Sequence, residues 1–167
     1  PENDEKLVGM VGARNCSQYG KSMAEHLSSK LALYSIGVVS GMARGIDVAC
    51  HRGALNGRGK TYAILGCGVD ICYPRENINA YMDIINNGGV ISEYPPGCQP
   101  ISWQFPYRNR IISMFSDAVA VIEAKAKSGT LITTDYALKY GKEIFAVPGR
   151  VSDVLSEGCN ELIKSGA

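Results

Sequence analysis

The chain has 167 residues, with 17 Lys+Arg against 16 Asp+Glu, a net charge of +1, 46% hydrophobic and 20% charged residues. That length suits one domain with a sizeable core, and the composition excludes disorder and any run near the ~20 apolar residues of a membrane span. The charge balance argues against a broad nucleic-acid coat, though not against a focused basic pocket.

Taken in chain order, six short apolar runs are predicted as strands: Leu7–Gly12, Ile36–Ser40, Thr61–Gly66, Gly89–Ser92, Ala118–Glu123 and Glu143–Val147. They lack apolar/polar alternation, so both faces of their sheet should be covered. Helical patterns lie between and after them. Gly20–Ser35 carries a stripe of Met23, Leu27, Leu31 and Tyr34 toward the sheet. Further helices are predicted at Ile46–Asn56, Asn77–Asn87, Asn109–Ser116, Thr130–Tyr140 and Glu157–Lys164. Strand–helix repetition with short links predicts an α/β fold, a doubly wound and mostly parallel sheet with helices on both faces. No linker or composition shift divides the chain.

Glycine stands out at 19 of 167 residues. Gly12, Gly41, Gly45, Gly66, Gly68, Gly97 and Gly129 fall just after strands or at the following helix starts. In such a sheet those loops line the ligand crevice, where glycine lets backbone N–H groups approach a phosphate. The G-x-G-x-x-G dinucleotide fingerprint is missing, and Ser40-Gly41 stands where an acidic ribose ligand would end the second strand. No P-loop occurs either, so no nucleotide cofactor is expected. The six cysteines are scattered, and the closest pair, Cys67 and Cys72, has no histidine nearby. Free thiols in a reducing cytosol, with no metal, are expected.

Cations share the glycine edge: Arg14, Arg44, Arg75, Arg108, Arg110, Lys125 and Lys127. Arginine forks match phosphate oxygens and stack on bases. Asp47, Glu76, Glu93 and Glu123 could instead pair with them, Asp47 with Arg44 in particular. Phe105 offers a ring for unpaired bases, and Trp103 reads as core packing or a loop clamp. His26 and His51 lie within helices and no G-x-S-x-G motif occurs, so no catalytic residue is expected.

Several segments together resemble the DNA-processing protein A (DprA/Smf) family. They are Val11-Gly12-Ala13-Arg14, Ser40-Gly41-Met42-Ala43-Arg44-Gly45-Ile46-Asp47, Leu65-Gly66-Cys67-Gly68-Val69-Asp70, Tyr73-Pro74-Arg75-Glu76-Asn77, Phe105-Pro106-Tyr107-Arg108-Asn109-Arg110 and Ser128-Gly129-Thr130. The likeness runs in order along nearly the whole chain. It implies a Rossmann-like domain that binds single-stranded DNA in a basic pocket during natural transformation, protects it and helps load the RecA recombinase. It also implies a cytoplasmic homodimer, with Leu162 and Ile163 on the dimer face. By the resemblance Arg14, Arg75, Phe105, Arg108 and Arg110 become expected DNA contacts; charge and placement add Arg44 and Lys127, and loop position makes Gly12, Gly41, Gly66, Gly68 and Gly129 the phosphate-approach glycines. Full-length relatives often add an N-terminal helical and a C-terminal winged-helix domain, neither of which is read here; the Pro1 start fits a fragment.

Two rival readings stand beside this one. The first is a nucleoside-monophosphate phosphoribohydrolase of the LOG type, whose P-G-G-x-G-T-x-x-E motif is resembled by Lys127-Ser128-Gly129-Thr130. Its glutamate would fall at Thr133, so the acid is missing, and Asp135 lies two residues too far. The second is a sensor of a small nucleotide.

Overall fold

All six apolar runs pair into one sheet in the order β4-β3-β2-β1-β5-β6, every adjacent pair parallel. The structure, a computed structural model, describes residues 4–167. The elements are β1 (Leu7–Gly12), α1 (Gln18–Leu33), β2 (Gly37–Ser40), α2 (Ile46–Asn56), β3 (Thr61–Ile64), α3 (Ile78–Asn87), β4 (Gly88–Ile91), α4 (Gln104–Phe115), β5 (Ala118–Glu123), α5 (Thr130–Lys139), β6 (Glu143–Ala146) and α6 (Glu157–Lys164). Single 3₁₀ turns cover Arg75–Asn77 and Val154–Ser156.

Burial on both faces explains the unbroken apolar runs of β1, β2, β3 and β5, whereas the edge strand β6 alternates, with Glu143 and Phe145 exposed. Val38 and Ile122 pack with Met10 under α1 and α2, while their neighbours Val39 and Val121 enter the opposite cluster with Ile112 of α4 and Ala137 of α5. A third cluster joins Ala63 and Leu65 to Ala80, Tyr81 and Ile84 around α3. Successive strand residues therefore feed different cores, which is the two-sided pattern the sequence predicts.

Two expectations need correction. Tyr34 does not face the sheet; it caps the end of α1 and is 78% exposed. The most buried residues of α1 are instead small, Gly20, Ala24 and Ser28, flanked by Met23, Leu27 and Leu31. Helix α4 begins at Gln104, five residues before the predicted Asn109. Pro106 falls in its first turn, where the missing N–H has no intrahelical acceptor to lose. The Gln104 carboxamide also accepts from the Ile101 N–H at 2.7 Å, fixing the entry. This start moves Phe105 and Arg108 from a loop onto a helix.

His51 is wholly buried, and its Nδ1 lies 2.7 Å from the Thr61 hydroxyl, which donates onward to the Val38 carbonyl. The hydroxyl therefore accepts from Nδ1–H, and the neutral imidazole is the form that fits. Burial, helped by the charge of Arg108, pushes its pKa down to about 3. A depressed histidine pKa stabilises the fold above the unfolded value near ~6.5 and withdraws that support as pH falls toward the folded value. Between pH 7.5 and 5, urea unfolding is expected to show a His51-linked loss of about 2 kcal/mol. The His51→Asn variant should lack that pH-dependent portion.

Candidate nucleic-acid interface

β1 is hydrogen-bonded to both β2 and β5. The chain leaves β1 toward β2, whereas β5 is reached from the far edge at β4, so the connections diverge at this point. A crevice opens at the carboxyl ends of strands where such a reversal occurs. Here it is a cavity of about 230 Å³ between the Gly12-Ala13-Arg14 turn, Asp47 of α2, Phe105 and Asn109 of α4, and Gly129–Thr133 at the start of α5. A smaller space of about 70 Å³ adjoins it, between Gly41, Arg44, Tyr73 and the shared wall of Arg14 and Phe105.

That shared wall is a stack. The guanidinium carbon of exposed Arg14 lies 5.4 Å from the Phe105 ring centroid. The Tyr73 ring follows, its centroid also 5.4 Å from that of Phe105 with the planes 29° apart. Tyr73 is 47% exposed and forms the solvent end of the ladder. The sequence quoted it within a motif without giving it a role; its place beside Phe105 depends on two loops far apart in the chain.

Arg108, expected as a DNA contact, lines the larger cavity from within the protein. It is 2% exposed, and its Nη1 donates to the carbonyls of Gly41, at 2.6 Å, and of Ile64. Burial pushes its pKa down to about 10, against the attraction of Asp47, so it stays cationic at neutral pH. Burial likewise pushes the Asp47 carboxyl up while Arg108 pulls it back, and the Ala43 N–H approaches Oδ2 at 3.4 Å. Gly41 permits this arrangement: a Cβ there would lie 2.5 Å from Arg108 Nη2 and 2.6 Å from Asp47 Oδ2. Arg108 therefore belongs to the cavity floor.

The remaining expected contacts separate. Arg44 forms a two-point pair with Glu76, at 2.8 and 2.9 Å, rather than with Asp47. Arg110 points away from both cavities, bonded to Glu93 and 4.4 Å over the Tyr107 ring. Arg75, Lys125 and Lys127 are exposed and line neither cavity. Trp103 is 60% exposed and meets Tyr94 and Tyr107 edge-on, so the core reading of it is overturned. Gly12 and Gly129 line the larger cavity and Gly41 the smaller. Gly66 instead backs onto Phe105, and the Gly68 N–H is spent on the Cys98 carbonyl. Acidic residues are interleaved with the arginines on this edge, Glu123 among them, accepting from the Ser17 N–H and hydroxyl. Among the described residues no cluster of His, Cys, Asp and Glu gathers that could hold a metal.

A parallel, doubly wound sheet of this order defines an α/β protein of the Rossmann-like class, with its candidate site at the switch point. Residues 1–167 match the family described as DNA recombination-mediator protein A, and the chain belongs to that family. It is 45% identical over 160 residues to the DNA processing protein DprA of Streptococcus pneumoniae, spanning 96% of this chain and 56% of that relative. The chain thus spans about half the length of this curated relative. The X-ray structure of the S. pneumoniae protein superposes with a TM-score of 0.90 at 42% identity, over 98% of this chain and 57% of that one. The DNA processing protein A of Helicobacter pylori, whose structure describes a unique single-stranded DNA binding mode, superposes with a TM-score of 0.89 at 34% identity, over 96% and 73%.

The two arginines of the cavity should respond differently to removal. Arg108→Met leaves Asp47 buried without its countercharge and is expected to cost about 3–5 kcal/mol in chemical denaturation. Arg14→Ala, at the surface, should stay within about 0.5 kcal/mol of the parent.

Proposed function

We propose that this chain binds single-stranded DNA at the β1/β5 cavity. The Arg14–Phe105–Tyr73 ladder carries this reading: a cation and two rings at the mouth of a cavity are what unpaired bases and their phosphates require. Arg44 and Lys127 flank this mouth on neighbouring loops and would extend phosphate contact along the strand. Arg75 and Arg110 lie further out and would contribute less. The H. pylori relative's binding mode supports the same ligand class.

The chain acts in this proposal as a binder rather than an enzyme. Among the described residues Asp47 is the one carboxylate on the cavity lining, and it lies in the field of Arg108. Thr133 stands where the phosphoribohydrolase motif would place its glutamate. By family membership, the biological reading is protection of incoming single strands in natural transformation and their transfer to the RecA recombinase, in the cytoplasm. No helix among the described residues is long and apolar enough to cross a membrane.

A homodimer forms part of the proposal. Leu162, partly buried against the core, also lines a groove of about 430 Å³ between α5, β6 and α6, and Ile163 is exposed. Exposed Leu138 and Phe145 on the same groove enlarge the apolar contact.

Titration of labelled oligo-dT at several salt concentrations tests the DNA reading. Binding should strengthen from a mononucleotide to a strand of about six nucleotides, and Arg14→Ala should lower the salt slope by roughly one ion. Equal binding of mononucleotide and strand would favour the nucleotide sensor instead. For the dimer, a paired Leu138→Glu and Phe145→Glu substitution should yield monomers in light scattering with an unchanged circular-dichroism spectrum.

A further inference from the structure

The hydroxyls at the start of α5 are unequally used. Thr134 donates to the Leu131 carbonyl at 2.7 Å, and Ser128 lies 3.0 Å from the Thr130 hydroxyl. Ser113 of α4 donates to the Thr133 carbonyl at 2.8 Å, which holds that turn against α4. The Thr133 hydroxyl alone is left over: the residue is fully buried, it lines the larger cavity, and its oxygen has no hydrogen-bond partner. A helical threonine ordinarily satisfies its hydroxyl on the preceding turn, so a buried one left unmade needs a reason.

Three further features surround it. The cavity is bounded by the N-terminus of the ten-residue helix α5, whose dipole favours an anion, although the Thr130 N–H is taken by the Ser128 hydroxyl and those of Leu131 and Ile132 by the Ser128 and Gly129 carbonyls. The Gly129 N–H has no partner among the described residues, and a side chain at Gly129 would meet nothing within 4 Å, so the approach to that end is open. Arg108 lies on the same floor with its Nε also buried and unpartnered. These donors sit with buried Val11 and Ile112 on the inner wall, while Arg14, Pro106 and Gly129 form the exposed rim.

We infer that the floor of this cavity is a subsite for a phosphate monoester, held by the Thr133 hydroxyl and Arg108, with the Gly129 N–H at its rim. The inference rests on the proposal that nucleotides enter here and deepens it. The cavity, at about 230 Å³, is smaller than the ~300–1,000 Å³ of drug-sized pockets and has room for one nucleotide. A strand threading it must bring its chain both in and out across the rim of Arg14, Pro106 and Gly129. A strand end enters with one connection and delivers a doubly charged terminal phosphate to the floor. The same chemistry is offered by a free nucleoside monophosphate, and the experiment separates the two sources.

The probes are oligo-dT of about six nucleotides with a hydroxyl or phosphate at the 5′ or the 3′ end, read by fluorescence anisotropy with the label on the opposite end. Calorimetry with dTMP against thymidine forms the second arm. Thr133→Val is the test variant; it keeps the shape and deletes a hydroxyl that has no protein partner, so the fold should tolerate it. A phosphate on one end should tighten binding about tenfold over the hydroxyl-ended strand, and Thr133→Val should abolish that gain. Binding of dTMP but not thymidine, lost in Thr133→Val, without any end preference, assigns the subsite to free nucleotides. A phosphate gain that survives in Thr133→Val overturns the assignment. So does the absence of both end preference and dTMP binding; in that case binding of hydroxyl-ended oligo-dT still decides the DNA reading by itself.

Discussion

A buried guanidinium organises this end of the molecule. Arg108 reaches from α4 beneath the sheet's carboxyl edge, and its bonds to the carbonyls of Gly41 and Ile64 tie that helix to the ends of β2 and β3. Asp47 supplies the countercharge from α2, on the opposite face. Burying such a charge is costly unless hydrogen bonds and an opposite charge meet it, and this one has both. Because α4 is anchored here, Phe105 and Asn109 face the cavity while Tyr107 and Arg110 turn outward, as helical spacing requires. Without the close approach allowed at Gly41, the anchor could not form.

The electrostatics of the edge follow from how its arginines are used. Arg108 is internal, and Arg44 and Arg110 are paired with Glu76 and Glu93. Arg14 is left with its charge presented at the rim, supported by an aromatic ring. A chain with a net charge of +1 can therefore carry a focused site without a broad positive face. Exposed pairs such as Arg44–Glu76 hold little energy, and a phosphate can compete with the glutamate for the guanidinium.

The fold was legible because its signals are local. β1, β5, α2 and α6 match their predicted limits, since unbroken apolar runs and helical periodicity are properties of neighbouring residues. The site was legible in part. Glycines after strands marked the edge on which the cavity opens, and Arg14 and Phe105 lie at its mouth. The burial of Arg108 was not legible, because a buried arginine and an exposed one look alike in sequence; its carbonyl partners lie 67 and 44 residues away. Tyr73 and Thr133 were missed for the same reason. The first gains meaning by stacking on a distant ring, the second by lacking a partner in a cavity built with three other segments.

The central claim is that the β1/β5 cavity is where a single strand lies. Photo-crosslinking of oligo-dT carrying a photoreactive thymine analogue, followed by peptide mass spectrometry, tests it most directly. The account predicts crosslinks on the peptides containing Tyr73 and Phe105. Crosslinks confined to β6 and α6, with those two peptides unmodified, would contradict it.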